Sequence, residues 1–220
     1  MAKQVLVIGL GRFGVSIMRA LIDRGVEVLA ADLSEERVRV ASEVATEAVI
    51  LDATDREALA GLAPERRDLC ICAIGDDSSQ ASTMCTALLR EMGAKRIVAR
   101  ASNPLQARIL RRVGAHEVVD PLREFGARFA THLLHEKILG ELPLGRNLVI
   151  TEMRPTKKMV GQTLSELDLP RQEGITVVGV RTGDADVVLP EPQRALTDTD
   201  VLIVVSKPSS VTALVERDAS

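Results

Sequence analysis

The residues with the clearest capacity for chemistry form a glycine-rich loop near the amino terminus. Gly9, Gly11 and Gly14 have the G-x-G-x-x-G spacing and directly follow an apolar run typical of a β-strand. The first glycine permits a tight turn, the second lets a phosphate approach the backbone, and the third lets helix and strand pack closely. Because free N–H groups and the helix dipole favour a bound anion, the spacing predicts a phosphate-binding loop. A glycine turn without a ligand is the alternative.

An acidic residue lies at the sequence spacing from the glycine loop that is typical of nucleotide-binding folds. Asp32 follows the second predicted strand, at about the expected 20-residue spacing from the loop. A carboxylate there hydrogen-bonds ribose hydroxyl groups and repels a ribose 2′-phosphate. The combination therefore favours a nucleotide with free ribose hydroxyls and argues against NADP.

Arg12 lies inside the loop, where most positions require only a small side chain. Its guanidinium can donate several hydrogen bonds at once to a terminal phosphate. This suits ATP or ADP better than a dinucleotide, whose bridging pyrophosphate carries less charge. An exposed arginine without a ligand is the alternative, although the helix dipole disfavours a cation on the first turn.

The first 120 residues alternate short apolar runs with helical patterns. The predicted strands lie at 4–8, 26–31, 47–51, 68–74, 95–100 and 116–119. The predicted helices lie at 12–24, 35–44, 55–62, 77–92 and 103–112. Strands that are apolar throughout and separated by helices are typical of a parallel sheet covered on both faces. We therefore predict an α/β fold with a doubly wound, Rossmann-like sheet of six strands.

Ligands bind at the carboxyl ends of the strands in such a sheet, so residues that follow the other strands are further candidates. With Phe13 of the loop, these candidates are Leu33, Asp52, Ala53, Thr54, Ala73, Ile74, Gly75 and Arg100. Small residues at positions 53, 73 and 75 leave room for an adenosine. Asp52 has an alternative role as the cap of the short helix that follows it.

The chain is predicted to consist of a nucleotide-binding domain at 1–121, a crossover helix and linker at 122–143, and a smaller α+β domain at 144–220. Apolar residues cover more of the predicted 122–140 helix than a surface helix needs, which predicts burial on two sides, with a second chain as a candidate partner. A segment rich in Pro and Gly at 140–146 marks the boundary. The small domain is predicted to contain strands at 148–153 and 201–205, a hairpin of 175–180 with 187–189, and helices within 160–167 and 208–217.

Composition excludes several classes of protein. A net charge of −3, with three Phe and neither Trp nor Tyr, argues against a nucleic-acid binder, because base stacking needs aromatic side chains. No apolar stretch approaches the ~18 residues of a membrane span, and the amino terminus lacks a signal-peptide pattern. We therefore expect a cytoplasmic protein.

The cysteines and histidines offer little chemistry. Cys70, Cys72 and Cys85 lack the spacing of a redox pair or a zinc site, and we expect them to be small buried hydrophobic residues. The three histidines complete no metal-binding pattern.

Together these motifs resemble those of the regulator of K⁺ conductance (RCK) family, in its KtrA/TrkA-type cytosolic subunits of bacterial potassium uptake systems. The resemblance covers essentially all 220 residues and implies an RCK_N nucleotide domain, a crossover helix and an RCK_C domain. It rests on residues 7–14, Asp32, 52–54, 73–75 and 80–83. Arg12 and Phe13 within the loop resemble members regulated by ATP and ADP rather than NAD.

The resemblance implies a regulatory subunit and not an enzyme. Dimers would assemble into an octameric ring, which docks on a membrane K⁺-translocating subunit of the KtrB/TrkH type at the inner face of the membrane. Nucleotide exchange would then reshape the ring and gate the pore. By position, Arg12 would contact the terminal phosphate of ATP, Asp32 the ribose, residues 73–75 the base or ribose, and Arg100 would lie near the phosphates.

One departure from the family concerns a divalent cation. Some relatives place an acidic metal ligand where this chain has Leu122, and Glu124 lies two residues further on. A metal at the nucleotide interface is therefore an open question, with Glu124 as the candidate ligand.

Two alternative functions share these motifs: an NAD-dependent oxidoreductase and an NAD(H)-sensing TrkA-type regulator. The resemblance also implies, as an addition, binding of cyclic di-AMP between paired C-terminal domains, although residues 146–220 show neither a phosphate loop nor an aromatic clamp. The oxidoreductase needs a positioned acid or base, and residues 146–220 contain no His, Cys or Tyr.

Overall fold

A computed structural model describes residues 2–75, 78–145 and 147–219 of the chain. The chain forms two compact units, Met1–Leu122 and Arg123–Ser220. None of the helices in the described ranges is long and apolar enough to cross a membrane.

The first unit is built on a six-stranded parallel sheet, which confirms the predicted α/β class. Its strands are β1 (Gln4–Ile8), β2 (Glu27–Asp32), β3 (Glu47–Ile50), β4 (Leu69–Cys72), β5 (Ile97–Arg100) and β6 (Glu117–Val119). They are arranged in the order β3-β2-β1-β4-β5-β6. The order reverses between β1 and β4, so the crevice at the carboxyl ends of these two strands is the topological switch point where such folds bind ligands.

Helices connect these strands close to the predicted positions. They are α1 (Arg12–Ile22), α2 (Glu35–Ala41), α3 (Arg56–Gly61), α4 (Ser79–Glu91) and α5 (Pro104–Val113). The start of α5 follows the sequence signal, because the Asn103 side chain accepts a hydrogen bond from the Gln106 N–H and Pro104 occupies the first turn. Residue 77, where the fourth helix was predicted to begin, lies outside the described residues.

Two apolar clusters cover the faces of this sheet. The three cysteines are free thiols and all are buried, with Cys70, Cys72 and Cys85 in the same cluster as Leu6 and Ile97. Burial raises the pKa of Cys70 to about 12, so this thiol is not a nucleophile at neutral pH. The cysteines pack as small hydrophobic residues, as predicted.

The second unit contains a four-stranded antiparallel sheet in the order β7-β8-β10-β9. These strands are β7 (Ile138–Leu144), β8 (Leu148–Met153), β9 (Thr176–Thr182) and β10 (Asp200–Ser206). Helix α6 (Pro121–Leu134) enters the unit, and three helices follow β8, namely α7 (Leu164–Leu167), α8 (Leu169–Glu173) and α9 (Ser210–Ala219). A separate apolar core lies within this unit.

The predicted helix over 122–140 was wrong beyond residue 134. Helix α6 ends at Leu134, and residues 138–144 form β7, which pairs with β8 through Leu142↔Ile150 and Leu144↔Leu148. Proline is tolerated at Pro143 because β7 is an edge strand, where not every N–H must pair. The predicted boundary at 140–146 therefore falls largely within this strand, and residue 146 lies outside the described residues.

Burial of the crossover helix on two sides is not seen within one chain, because α6 has no buried residue.

The second arm of the predicted hairpin is shorter than expected, since 187–189 forms no strand and only Val188 bridges to Val180. Helix α8 had no counterpart in the sequence prediction. A repeating apolar pattern is difficult to detect in a helix of five residues.

A buried ion pair links β10 to the loop before it in the second unit. The Asp200 side chain is fully buried and accepts hydrogen bonds from both terminal nitrogens of Arg194, at 2.9 and 2.7 Å. The Thr182 hydroxyl and the Thr197 N–H also donate to this carboxylate. Burial by itself would raise the pKa of Asp200, but these hydrogen bonds and the Arg194 charge outweigh it, so the pKa is lowered.

We expect Asp200→Asn to lower the free energy of unfolding of the second unit by about 3 kcal/mol at pH 7, because it breaks a buried charge pair. The exposed substitution Asp198→Asn is the matched control and should change stability by less than about 0.5 kcal/mol. Hydrogen exchange of β9 and β10 amides measures both effects.

The stabilisation depends on pH in a defined direction. Because folding lowers the pKa of Asp200, the contribution is complete above the unfolded value of about 3.9 and is lost as pH falls through the lower folded value. The stability gap between the natural chain and Asp200→Asn should therefore close below about pH 4. A gap that is constant down to pH 2 would contradict this assignment.

Candidate functional site

Packing at the switch point requires two of the three loop glycines. Gly9 has φ +93°, and a Cβ there would lie 2.7 Å from the backbone nitrogen of Ile74 and 2.9 Å from the carbonyl carbon of Ala73. A Cβ on Gly14 would lie 1.8 Å from the Gly9 carbonyl oxygen. A side chain at position 9 would therefore overlap the backbone after β4, and a side chain at position 14 would overlap the backbone of the loop itself.

Gly11 has a different environment. It is the N-cap of α1, with φ −68° and ψ −176°, and no atom lies within 4 Å of the place where its Cβ would be. No side chain caps this helix, although the first N–H groups of a helix have no partner within it. Open space in front of these donors is what a bound phosphate needs. Packing does not explain the glycine at position 11, whereas the approach of a ligand does.

Asp32 lies where the sequence predicts, at the carboxyl end of β2, but its carboxylate also holds the loop itself. One oxygen, Oδ2, accepts a hydrogen bond from the Leu10 N–H at 2.5 Å, and Oδ1 accepts from the Ser34 N–H at 2.8 Å. The Arg37 guanidinium approaches Oδ2 to 3.6 Å. Each carboxylate oxygen can accept more than one hydrogen bond, so the Asp32 carboxylate can still accept hydrogen bonds from ribose hydroxyl groups. Contact between Asp32 and a ribose stays a prediction.

Arg12 is the first residue of α1 and is exposed. In the part of the chain that the structure describes, no residue forms a hydrogen bond or an ion pair with its guanidinium. The helix dipole makes the start of a helix an unfavourable place for a cation. The position of Arg12 beside open space therefore has no explanation in the contacts of the described residues.

Residues after β4 and β5 lie on the side of the crevice that is opposite the end of β2. Ala73 is buried and Gly75 is half-buried, and the Cβ position of Gly75 lies 3.5 Å from a terminal nitrogen of Arg100. Because β4 and β5 are parallel neighbours, their ends bring this guanidinium to the same edge as Gly9. The structure thus brings together the predicted residues of four adjacent strands.

The residues after β3 have other roles than the sequence suggested. Asp52 does not cap α3, because Asp55 does so through Oδ1, which accepts from the N–H groups of Glu57 and Ala58. Asp52 Oδ1 instead accepts from the hydroxyl and the N–H of Thr54, at 2.7 and 2.9 Å. These two hydrogen bonds lower the pKa of Asp52, so its carboxylate is charged at neutral pH.

Three further candidates differ in their exposure. Ala53 is buried, Phe13 packs half-buried against the core under α1, and Leu33 is 69% exposed. A cleft of about 510 Å³ lies between Thr54 and the start of α4. It is lined by Thr54, Ser78, Ser79, Gln80, Ala81 and Met84. Ser78, Ser79 and Met84 were not predicted, because no spacing rule distinguishes them from ordinary helix-start residues.

A metal site is not built by the described residues of one chain. Among them, no group of three or more His, Cys, Asp or Glu side chains could hold a metal ion. Glu124 lies on the first turn of α6 and is exposed, next to the exposed apolar Leu122. These residues do not fit a divalent cation within one chain.

Comparison with known proteins agrees with this geometry. Residues 5–121 match the TrkA-N domain family, and residues 148–217 match the TrkA-C domain family. The Ktr system potassium uptake protein A of Vibrio alginolyticus is 36% identical over 203 residues, 92% of each chain. The Ktr system potassium uptake protein C of Bacillus subtilis is 34% identical over 217 residues, 99% of this chain and 98% of that protein.

The solved structure of the GsuK channel bound to NAD has a similar fold. It superposes with a TM-score of 0.66 at 21% identity, covering 97% of this chain and 39% of the channel chain. At this identity the likeness shows the fold alone.

Alanine substitutions distinguish the glycine that packing requires, Gly14, from the glycine that phosphate binding is predicted to require, Gly11. Gly14→Ala should destabilise the first unit by about 3 kcal/mol or more, since its Cβ would overlap a backbone oxygen. Gly11→Ala should cost only about 1 kcal/mol, as an N-cap effect, yet weaken nucleotide binding at least tenfold. Gly61→Ala, a helix position that is also free of neighbours, is the control. Calorimetric binding and thermal unfolding measure these effects, and unaltered binding in Gly11→Ala would contradict the phosphate assignment.

Proposed function

This chain belongs to the RCK family, as a KtrA/TrkA-type member, and we propose that it is a nucleotide-sensing regulatory subunit that responds to ATP and ADP and gates a membrane potassium channel or transporter. Two relatives that match nearly its whole length are potassium uptake proteins by name. The observation that carries the sensing proposal is Arg12, an exposed cation at the open start of α1 with no partner among the described residues.

Discrimination between ATP and ADP follows from electrostatics. The two nucleotides share the adenosine and differ by one charged phosphate at the end of the chain. A ligand shifts a conformational equilibrium only through its differential affinity for the two states. A guanidinium that reaches the terminal phosphate supplies this difference, because hydrogen bonds between charged groups contribute about 1.5–3 kcal/mol.

A binding role without turnover is part of the proposal. The predicted crevice residues include Gly9, Gly11, Ala73 and Gly75, and the Asp32 carboxylate already accepts two backbone hydrogen bonds. A catalytic acid or base must instead reach the reacting atoms with a suitable pKa. The described crevice residues favour holding a nucleotide over transforming it.

NAD is the competing ligand, because the loop and Asp32 also suit a dinucleotide. The GsuK structure with NAD bound concerns a channel that shares this fold. Mass spectrometry of the nucleotide that the purified protein retains distinguishes binding of ATP or ADP from binding of NAD. Retained ATP or ADP supports the proposal, whereas retained NAD would identify an NAD(H)-sensing regulator.

Self-association through α6 is the second part of the proposal. The helix has no buried residue and exposes Phe125, whose ring stacks on Phe129 with centroids 5.4 Å apart. Large apolar side chains exposed together on one helix mark an interaction surface. The exposed apolar residues at this helix are Leu122, Phe125, Phe129, Leu133 and Leu134. We propose that two copies pair through this surface and that such dimers assemble into the octameric ring that docks on the inner face of a membrane K⁺-translocating subunit.

Binding of cyclic di-AMP by the second unit stays a prediction. This unit has a cavity of about 260 Å³, with Leu169 and Pro190 among its lining residues. Titration of the full chain with cyclic di-AMP tests this prediction independently of the nucleotide crevice.

Arg12→Ala should reduce the ratio of ATP to ADP affinity about tenfold and leave adenosine binding unchanged, because only the terminal phosphate loses a partner. Arg19→Ala is the matched control, since it removes an exposed arginine from the other end of the same helix. Isothermal titration calorimetry with ATP, ADP and adenosine measures the three affinities. An unchanged ratio in Arg12→Ala removes this residue from the sensing mechanism.

The double substitution of Phe125 and Phe129 by Ser should convert dimers and larger assemblies to monomers, since it removes the stacked rings from an exposed helix. Val40→Ser, at an exposed apolar position on α2, should leave the mass unchanged. Light scattering coupled to size-exclusion chromatography gives the mass of each variant. Retention of the natural mass by the double variant would show that α6 is not the dimer interface.

A further inference from the structure

Arg37 has a guanidinium whose hydrogen-bond donors are not used by the described chain. The residue lies on the first turn of α2, and its side chain is 56% exposed. One terminal nitrogen approaches Oδ2 of Asp32 to 3.6 Å, which is longer than a hydrogen bond. Among the residues that the structure describes, none accepts a hydrogen bond from this guanidinium. Its N–H donors are therefore available to a ligand.

The contacts of Asp32 place this guanidinium beside the glycine loop. The same carboxylate oxygen, Oδ2, accepts the hydrogen bond from the Leu10 N–H at 2.5 Å. Asp32 is the last residue of β2, the position at which an acidic side chain contacts ribose in such folds. The Arg37 guanidinium therefore lies at the ribose end of the predicted nucleotide site, and it is accessible from solvent.

A structural ion pair does not explain the Arg37–Asp32 contact. Arginine–carboxylate pairs that are hydrogen-bonded have N···O distances of about 2.7–2.9 Å. The Arg194–Asp200 pair of the second unit has this geometry, with distances of 2.9 and 2.7 Å. The contact of Arg37 is longer, and exposed pairs of this kind contribute little to stability. A contact of this length leaves donors on Arg37 and lone pairs on Asp32 for a third group.

A ribose hydroxyl group has the chemistry that this third position requires. A carboxylate only accepts hydrogen bonds and a guanidinium only donates them, whereas a hydroxyl group does both. A hydroxyl group at this position can donate to Asp32 and accept from Arg37, so both side chains gain a partner. A phosphate fits less well, because the adjacent Asp32 carboxylate repels it.

We infer that Arg37 is a further specificity-determining residue of the nucleotide site, and that it donates a hydrogen bond to a hydroxyl oxygen of the ribose while Asp32 accepts one from the same sugar. This inference rests on the proposed function. It makes the site selective for ribonucleotides over deoxyribonucleotides. A ligand without these hydroxyl groups leaves both side chains without a partner, and sites built to hydrogen-bond a hydroxyl group discriminate against such ligands.

Arg37→Ala tests this inference when its affinities for ATP and for 2′,3′-dideoxy-ATP are compared by isothermal titration calorimetry. The two ligands carry the same base and phosphates and differ only in the ribose hydroxyl groups. We expect ATP affinity to fall about tenfold, as for the loss of one hydrogen bond to a charged group, and dideoxy-ATP affinity to stay unchanged. Arg39→Ala is the matched control, because it removes an exposed arginine from the same helix. It should leave both affinities unchanged.

Two results of this comparison would overturn the inference. Equal losses for ATP and dideoxy-ATP would show that Arg37 acts on the fold or on the phosphates. Unchanged ATP affinity would show that Arg37 has no contact with the ligand. Thermal unfolding checks that Arg37→Ala is folded, and if it is not, Arg37→Met, which keeps an unbranched side chain without donors, should show the same selective loss.

A crystal structure with ATP separates direct contact from an effect through Asp32. We expect a guanidinium nitrogen of Arg37 within about 3.2 Å of a ribose oxygen, and a longer distance would overturn the inference. The natural chain separately tests the proposed function, which fails if the chain binds neither ATP nor ADP. Binding of ATP without preference over dideoxy-ATP would overturn the ribose assignment alone.

Discussion

The contact on which the site depends is the hydrogen bond from the Leu10 N–H to the buried Asp32 carboxylate. It joins the glycine loop to the end of the neighbouring strand β2, while the lack of a side chain at Gly9 lets the loop pack against the end of β4. The loop is thereby fixed between two strands before any ligand arrives. A preorganised anion site of this kind loses little conformational entropy on binding. The remaining glycine, Gly11, is left facing open space.

The distribution of charge around this loop suits a sensor. The negative charge of Asp32 is balanced by two backbone N–H groups and by Arg37, whereas Arg12 has no such balance among the described residues. A balanced carboxylate can recognise neutral hydroxyl groups, while an unbalanced guanidinium responds to the number of phosphates. In the proposed function, Asp32 would recognise the nucleoside and Arg12 would distinguish the number of phosphates, so different residues would carry the two tasks.

The second unit is stabilised by its own core and its own charge network. Its apolar cluster is separate from those of the first unit, and the Arg194–Asp200 pair anchors the loop before β10. Two of its three strand pairings join consecutive strands, β7 with β8 and β9 with β10, and the pairing of β8 with β10 joins the two halves of the sheet. Helix α6 instead leaves its apolar residues exposed within one chain, which is the observation behind the proposed pairing of two copies.

The sequence by itself determined the parallel sheet, the order of loop, helix and acidic residue, and the family, because these depend on local periodicity and on residue types at set spacings. Only the tertiary structure decided that the crossover helix stops at Leu134. The segment after it was predicted to stay helical to residue 140, but antiparallel pairing with the following strand, β8, places it in a sheet. Tertiary structure likewise decided that Asp32 holds the loop. Such roles depend on contacts between residues that are far apart in the sequence, and local sequence patterns do not reveal the distances between those atoms.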